Sequence, residues 1–145
     1  MRRKVSAALV VALALALAGC GGSGITTVGR AEAVKRLEAA CRAGTLEARR
    51  MSRSGNGRDS AVEAVRANLE TILSRIDKLE TSGAAKADFD TYKDALRTRL
   101  DVLGRIRSAG ADRQKVLAAE QPRLERATER AFAAMGRLGA THVCI

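Results

Sequence analysis

Three cysteines carry most of the chemistry that this chain of 145 residues can offer. Cys20 directly follows small residues at the end of an apolar stretch, where a thiol can be acylated during export. Cys41 and Cys144 are an even pair, which predicts a disulfide bond in an exported protein. The alternatives are a redox-active pair or a metal site that uses His142 and Cys144, but no Cys-x-x-Cys occurs and two ligands are too few for zinc.

The first nineteen residues have the charge and hydropathy pattern of a secretory signal. Positive charge stands at residues 2-4, an apolar run covers residues 5-17, and Ala18 and Gly19 are small. The alternative is an uncleaved membrane helix, but spanning a bilayer takes about 20 apolar residues and this run is shorter. We therefore expect residues 1-19 to be removed during export.

The junction Leu17-Ala18-Gly19-Cys20 resembles the lipobox of bacterial lipoproteins. The resemblance implies that a diacylglyceryl group is attached to the Cys20 thiol and that a peptidase cuts just before this residue. Two or three acyl chains give stable anchoring, so the expected partner is the lipid bilayer, on the extracytoplasmic face of the cell membrane. The alternative is an ordinary secretory signal cut near Ala18, which would leave Cys20 as an unmodified thiol on an unattached protein.

The expected mature part is long enough for one small domain with its own core. Residues 20-29 begin with the lipidated cysteine and the glycine-rich run at 21-24, and they are expected to form a flexible tether. On a random-coil estimate the tether separates lipid and domain by roughly 15 Å. The folded domain is expected over residues 30-145.

The domain is expected to be built from four helices, because apolar residues recur at alternating steps of three and four. The helices are placed at about 30-53, 60-82, 86-108 and 112-138. Their short connections predict an all-α, up-down-up-down four-helix bundle. The residues expected to face the core are Val34, Leu37, Cys41, Ala48 and Met51 in the first helix, Val62, Val65, Leu69, Ile72, Ile76 and Leu79 in the second, Phe89, Tyr92, Leu96, Leu100, Leu103 and Ile106 in the third, and Val116, Leu117, Leu124, Ala127, Ala131, Ala134 and Leu138 in the fourth.

Two residues interrupt this pattern. Gly44 occupies a core position of the first helix, which predicts a close approach of a neighbouring backbone. Pro122 falls inside the fourth helical segment, where it loses a backbone hydrogen bond and clashes with the preceding turn. It therefore predicts a kink or a short break near residues 120-121, and the alternative is that Pro122 lies in the first turn of a separate helix.

The bundle topology allows the disulfide between Cys41 and Cys144. The end of the fourth helix should lie beside the start of the first, and Cys41 lies roughly 16 Å along that first helix. The tail from Gly139 to Cys144 can span five steps of about 3.3 Å each, which is enough to reach the Cys41 thiol. The expected role is structural, with a stabilisation on the order of 4 kcal/mol in the chain-entropy model.

The charge of the expected mature part is strongly positive. Removing residues 1-19 takes away three of the 26 basic residues and none of the 16 acidic ones, which leaves a net charge of +7. This charge favours anionic lipid headgroups or an anionic envelope polymer as partners. The alternative is a solvated arginine-rich surface with no partner. Nucleic acid is not expected, because the protein is exported and has only three aromatic residues for base stacking.

The mature part also resembles a group of small actinobacterial exported proteins. The resemblance rests on Ala33 and Cys41 in the first helix, the Phe- and Tyr-led third helix, and the ending Leu138-Gly139 with Cys144. It implies a helical bundle stapled by cysteines, and it brings no activity, substrate or cofactor.

No catalytic motif or cofactor motif occurs in the sequence, and the single histidine, His142, stands in the tail. We therefore expect a non-enzymatic interaction module that binds another envelope protein or an anionic envelope component through a helix face. One alternative is a small-molecule carrier or sensor with a pocket near Gly44 and Pro122. A third is an enzyme whose carboxylates converge only in the fold.

Overall fold

A computed structural model describes residues 24-54 and 58-141, with the side chains of residues 58 and 59 excepted. The expected signal segment, Cys20, His142 and Cys144 lie outside the described residues. The elements in chain order are β1 (Thr26–Val28), α1 (Arg30–Ser54), α2 (Arg58–Ile76), β2 (Leu79–Thr81), α3 (Ala85–Ser108), a 3-10 turn (Gly110–Asp112) and α4 (Arg113–Leu138).

The four helices form two closely packed hairpins, and these pack on each other. Helix α1 packs along α2 and α3 packs along α4, while a smaller contact between α2 and α3 joins the hairpins. This confirms the predicted all-α four-helix bundle. The shared core takes residues from every helix, among them Leu37, Cys41, Leu69, Ile72, Ile76, Phe89, Tyr92, Leu96, Ala131, Ala134 and Leu138.

Two short strands, which the sequence analysis did not predict, hold the two hairpins together. Strand β1 pairs in parallel with β2, and Thr26 lies opposite Leu79. The Thr26 N–H donates a hydrogen bond of 2.8 Å to the Lys78 carbonyl. Parallel strands need a long crossover connection, which is supplied here by the α1–α2 hairpin. The fold therefore consists of two strand-helix-helix units joined along their strands.

The strands correct two expected boundaries. The second helix ends at Ile76 instead of residue 82, and part of the tether expected over residues 20-29 is strand β1. The physical reason is that β-branched residues favour extended backbone and that the two strands satisfy each other's polar groups. Along β2 the buried Leu79 and Thr81 flank the less buried Glu80, which is the period of two expected of a strand.

Pro122 lies inside a continuous α4, so a separate helix starting there and a break at residues 120-121 are both wrong. The proline is exposed, and a helix can lose one hydrogen bond on its solvent side because water can replace it. The helix ends at Leu138, and the capping residue Gly139 that follows has a φ of 81°, in the left-handed region that glycine tolerates best.

Gly44 confirms the predicted close approach between helices. A Cβ atom at this position would lie 2.8 Å from the Asn68 backbone oxygen and 2.9 Å from Ile72 Cγ1, both on α2. These distances are shorter than carbon contacts allow, so only glycine fits here without a shift of α2.

Helices long and apolar enough to cross a bilayer do not occur within residues 24-54 and 58-141.

Candidate functional site

The outer side of α1 carries a surface of one charge sign, which we call the basic α1 face. Buried side chains such as Leu37 and Cys41 turn one side of the helix toward the core. At 3.6 residues per turn, six of the exposed residues of α1 fall within an arc of about 100° on the other side. The face consists of Lys35, Arg42, Leu46, Arg49, Arg50 and Arg53, all exposed.

The cations of this face form no ion pairs within the described residues. Lys35, at the start of the face, interacts electrostatically with Glu32 one turn before it. On α1 the nearby Glu47 is half-buried and lies outside the arc, and Glu38 accepts hydrogen bonds from Thr141. The face is therefore an uncompensated patch of positive charge along one helix.

Seven arginines elsewhere in the described residues form ion pairs with carboxylates. Between α3 and α4, Asp101 accepts from Arg123 at 2.8 Å and from Arg105 at 3.3 Å, and Arg105 also reaches Glu120 at 3.2 Å. Desolvation tends to raise the pKa of Asp101, but the Arg123 hydrogen bond and the two positive charges outweigh it and lower that pKa. Further pairs are Arg36 with Glu32, Arg66 with Glu70, Arg97 with Asp77 and Asp94, Arg107 with Glu63, and Arg137 with Asp88.

An apolar side chain lies in the middle of the basic α1 face. Leu46 is 65% exposed, which is unusual for a leucine in the middle of a helix that packs on a core. Together with Arg49, Arg50, Arg53 and Ser54 it lines an open depression of about 340 Å³. A leucine ringed by guanidinium groups can contact a partner that is apolar and anionic at once.

A second group of polar side chains is buried along α3. Tyr92 is fully buried, and its hydroxyl has no hydrogen-bond partner. Burial raises the pKa of this phenol, although the charge of Arg99 acts in the opposite direction. Arg99 is 8% exposed, its Nε also lacks a partner, and burial lowers the pKa of its guanidinium. Beside them, the buried Lys93 is satisfied by the Leu79 carbonyl at 3.1 Å.

The described start of the C-terminal tail, up to Thr141, lies beside the first turns of α1. Arg30 donates to the Leu138 carbonyl at 3.1 Å, and Thr141 donates its N–H to Glu38 at 3.0 Å. Cys41, one turn beyond Glu38, is buried and disulfide-bonded. The other two cysteines, at positions 20 and 144, lie outside the described residues, so the pairing of Cys41 with Cys144 stays a prediction.

Two other predicted site residues, the expected acylation site Cys20 and the tail residue His142, lie outside the described residues. Among residues 24-54 and 58-141, no group of three His, Cys, Asp or Glu side chains is arranged to hold a metal ion.

The sequence analysis missed both the basic α1 face and the burial of Arg99, although each has a signal. The residues of the face recur at helical spacing in the sequence. Arg99 continues the steps of three and four set by Phe89, Tyr92 and Leu96, whereas the expected core residue Leu100 is only half-buried.

Comparison with protein-family models, curated proteins and solved structures finds no match for this chain.

Proposed function

We propose that this protein is a non-enzymatic lipoprotein of the cell envelope, anchored by an acylated Cys20 on the extracytoplasmic face of the cell membrane, which acts as an interaction module. The observation that carries the proposal is the basic α1 face. The face holds five cations that form no ion pair and, among its arginines, an exposed leucine, a composition suited to binding an anionic partner.

The carrier alternative is weakened at the two places where a pocket was expected. At Gly44 the two helices approach so closely that no space remains for a ligand. Pro122 is exposed in a continuous helix. The depression at the end of α1 is lined by one helix and open to solvent, so it does not enclose a small molecule.

The enzyme alternative is weakened by the partners of the carboxylates. Asp101 and Glu120 come together between α3 and α4, where each forms ion pairs with both Arg105 and Arg123. Because these arginines hold the pKa of Asp101 low, this carboxylate is a poor proton donor near neutral pH.

A disulfide between Cys41 and Cys144 belongs to the same proposal. From Thr141, which is hydrogen-bonded to Glu38, three further residues reach position 144. Three steps span up to about 10 Å, enough to bring this residue to Cys41 one turn along α1.

The membrane anchor is tested by fractionating cells that express the wild-type chain or the Cys20→Ala variant. After a high-salt wash, which removes proteins held by charge alone, we expect the wild-type chain in the membrane fraction. Because the lipobox peptidase cuts before an acylated cysteine, the variant is expected to keep residues 1-19 and its full precursor mass. A wild-type chain that the same wash releases into the soluble fraction, or a variant trimmed to the mature mass, would contradict the proposed anchor.

A further inference from the structure

We infer that the basic α1 face docks on the anionic phospholipid headgroups of the membrane, with α1 lying parallel to the bilayer surface. The inference deepens the proposed function by naming the partner, and it relies on the proposed anchor only for placing the protein near a membrane.

The charge distribution along α1 carries the first step. From Lys35 to Arg53 the outer arc of the helix contains five cations and no carboxylate. These residues span about 27 Å of helix length at 1.5 Å per residue. Each basic residue near an anionic bilayer strengthens binding by about fivefold, so several in one line favour a flat orientation of the helix.

The composition of the face separates a bilayer from a soluble polyanion. A soluble polyanion offers only charge, whereas a bilayer surface offers headgroup charge with acyl chains just below it. Leu46 stands between Arg42 and Arg49, with two thirds of its surface exposed. The long arginine side chains can reach headgroups while the leucine enters the boundary with the acyl chains.

The position of the face relative to the expected anchor carries the next step. The first strand begins at Thr26, and α1 follows it after Gly29. An acyl anchor at Cys20 is therefore separated by six residues from the first strand, a reach of about 20 Å at most. Because the face lies on the helix nearest the anchor, both can contact the same bilayer at once.

Another helix offers a matched comparison. Helix α4 also exposes Lys115, Arg126 and Arg130, but Glu125 and Glu129 alternate with them. This mixture of charges gives a weaker field at a surface, because neighbouring opposite charges cancel over a Debye length. The two helices therefore allow equal changes of net charge on a face that docks and on one that does not.

The test uses the chain from residue 20 to 145 with Cys20→Ser, produced without acyl groups. All described contacts lie within residues 24-141, so this chain contains the whole described bundle. It is sedimented with vesicles of equal parts phosphatidylglycerol and phosphatidylcholine, and with vesicles of phosphatidylcholine alone. We expect binding to the first vesicles only, and loss of that binding at high salt.

Charge-reversal variants locate the binding surface. The triple variant Arg49→Glu, Arg50→Glu, Arg53→Glu should lose more than about a hundredfold in binding, and the same positions changed to Gln should lose about a hundredfold, because each of the three lost cations counts for about fivefold. The control triple Lys115→Glu, Arg126→Glu, Arg130→Glu has the same net charge as the first and should lose no more than about threefold. Circular dichroism checks that each variant keeps its helix content.

A fluorescent reporter tests the position of Leu46. The chain contains no tryptophan, so Leu46→Trp introduces a single emitter. Its emission should shift to the blue with phosphatidylglycerol vesicles, while Leu117→Trp on α4, at a residue that is 37% exposed, should not shift.

Three results would overturn the inference. The first is equal loss of binding in the two glutamate triples, which would mean that net charge alone drives the binding. The second is no binding of the unmodified face to phosphatidylglycerol vesicles, and the third is binding to inorganic polyphosphate without binding to vesicles. None of these results bears on the acylation of Cys20, which cell fractionation tests separately.

Discussion

Arg99 lies on the apolar seam of α3, in line with Tyr92, Leu96 and Leu103. It is 8% exposed and forms neither an ion pair nor a hydrogen bond within the described residues, and burial lowers the pKa of its guanidinium. An unpaired charge in an apolar environment costs several kcal/mol unless part of it reaches water. The residue is thus a local weakness in an otherwise apolar core.

Replacing Arg99 with methionine should stabilise the protein. Met keeps much of the side-chain volume and removes the desolvated charge, so we expect the free energy of unfolding to rise by about 1 to 2 kcal/mol in urea titrations. The control is Arg97→Met on the same helix, which removes an exposed, ion-paired guanidinium and should cost less than about 1 kcal/mol. A marked loss of stability in Arg99→Met would show that the guanidinium has a favourable partner.

At the scale of elements, the α1–α2 hairpin depends on the missing side chain of Gly44. The close approach of α2 at Asn68 and Ile72 leaves no room for a methyl group. This tight packing excludes the pocket that the sequence pattern also allowed at this position. A glycine in a core position is compatible with either a close approach of two helices or a pocket between them. The distance to the neighbouring helix separates them, and the sequence does not contain that distance.

Gly44→Ala is therefore expected to destabilise the protein, despite the higher helix propensity of alanine. Overpacking should cost about 1 to 3 kcal/mol, against a gain of up to about 1 kcal/mol from propensity. Gly104→Ala on α3 is the matched control, since its Cβ would meet no atom within 4 Å, and it should stabilise by up to about 1 kcal/mol. If the denaturant midpoints of both variants shift in the same direction relative to the wild-type chain, the close approach at Gly44 is contradicted.

The sequence predicts helices well and strands poorly here, for reasons of length and distance. Each helix repeats its apolar spacing over several turns, so its existence and its inward side follow from local pattern. Each strand has three residues, and Leu79 fits the helical spacing of α2 as well as the alternation of β2. Only the pairing with Thr26, more than fifty residues away, decides between the two, and such long-range contacts leave no local signal.

At the scale of the whole molecule, the strand pair and the chain ends connect the two hairpins. In a parallel pair alternate N–H groups point toward the neighbouring strand, so Thr26 donates to Lys78 while the Thr27 N–H points away. At the end of α4, the side chain of Arg30 donates hydrogen bonds to the carbonyls of Arg137 and Leu138. The bundle is thus closed near its first and last described residues.

Proline substitutions at Thr26 and Thr27 should separate the role of the strand pair from that of local backbone stiffness. Thr26→Pro removes the donor to Lys78 and is expected to cost about 1 kcal/mol, with faster amide hydrogen exchange at Glu80. Thr27→Pro adds the same rigid ring where no hydrogen bond is lost and should leave that exchange nearly unchanged. If the Glu80 amide exchanges equally fast in the two variants, the hydrogen bonds of β1 do not stabilise β2.

The candidate site was less accessible to sequence reasoning than the fold. The net charge of the chain was evident, but whether its arginines are neutralised depends on which carboxylates the fold places beside them. Arg105 on α3 and Arg123 on α4 both form ion pairs with Asp101 on α3, whereas the arginines near Leu46 form none. Composition gives only the total surplus of positive charge, whereas the fold places five cations without ion pairs along one side of α1.

The pairing of β1 with β2 also determines how the protein would respond to traction. A load arriving from residues ahead of Thr26 meets its first resistance in bonds to Lys78 and its neighbours, which lie near the midpoint of the sequence. Separating α1 from the bundle by pulling on the residues before Thr26 would require these hydrogen bonds to break first. Tension on the segment before Thr26 would therefore act on the pairing of β1 with β2, and both helical hairpins would bear the force.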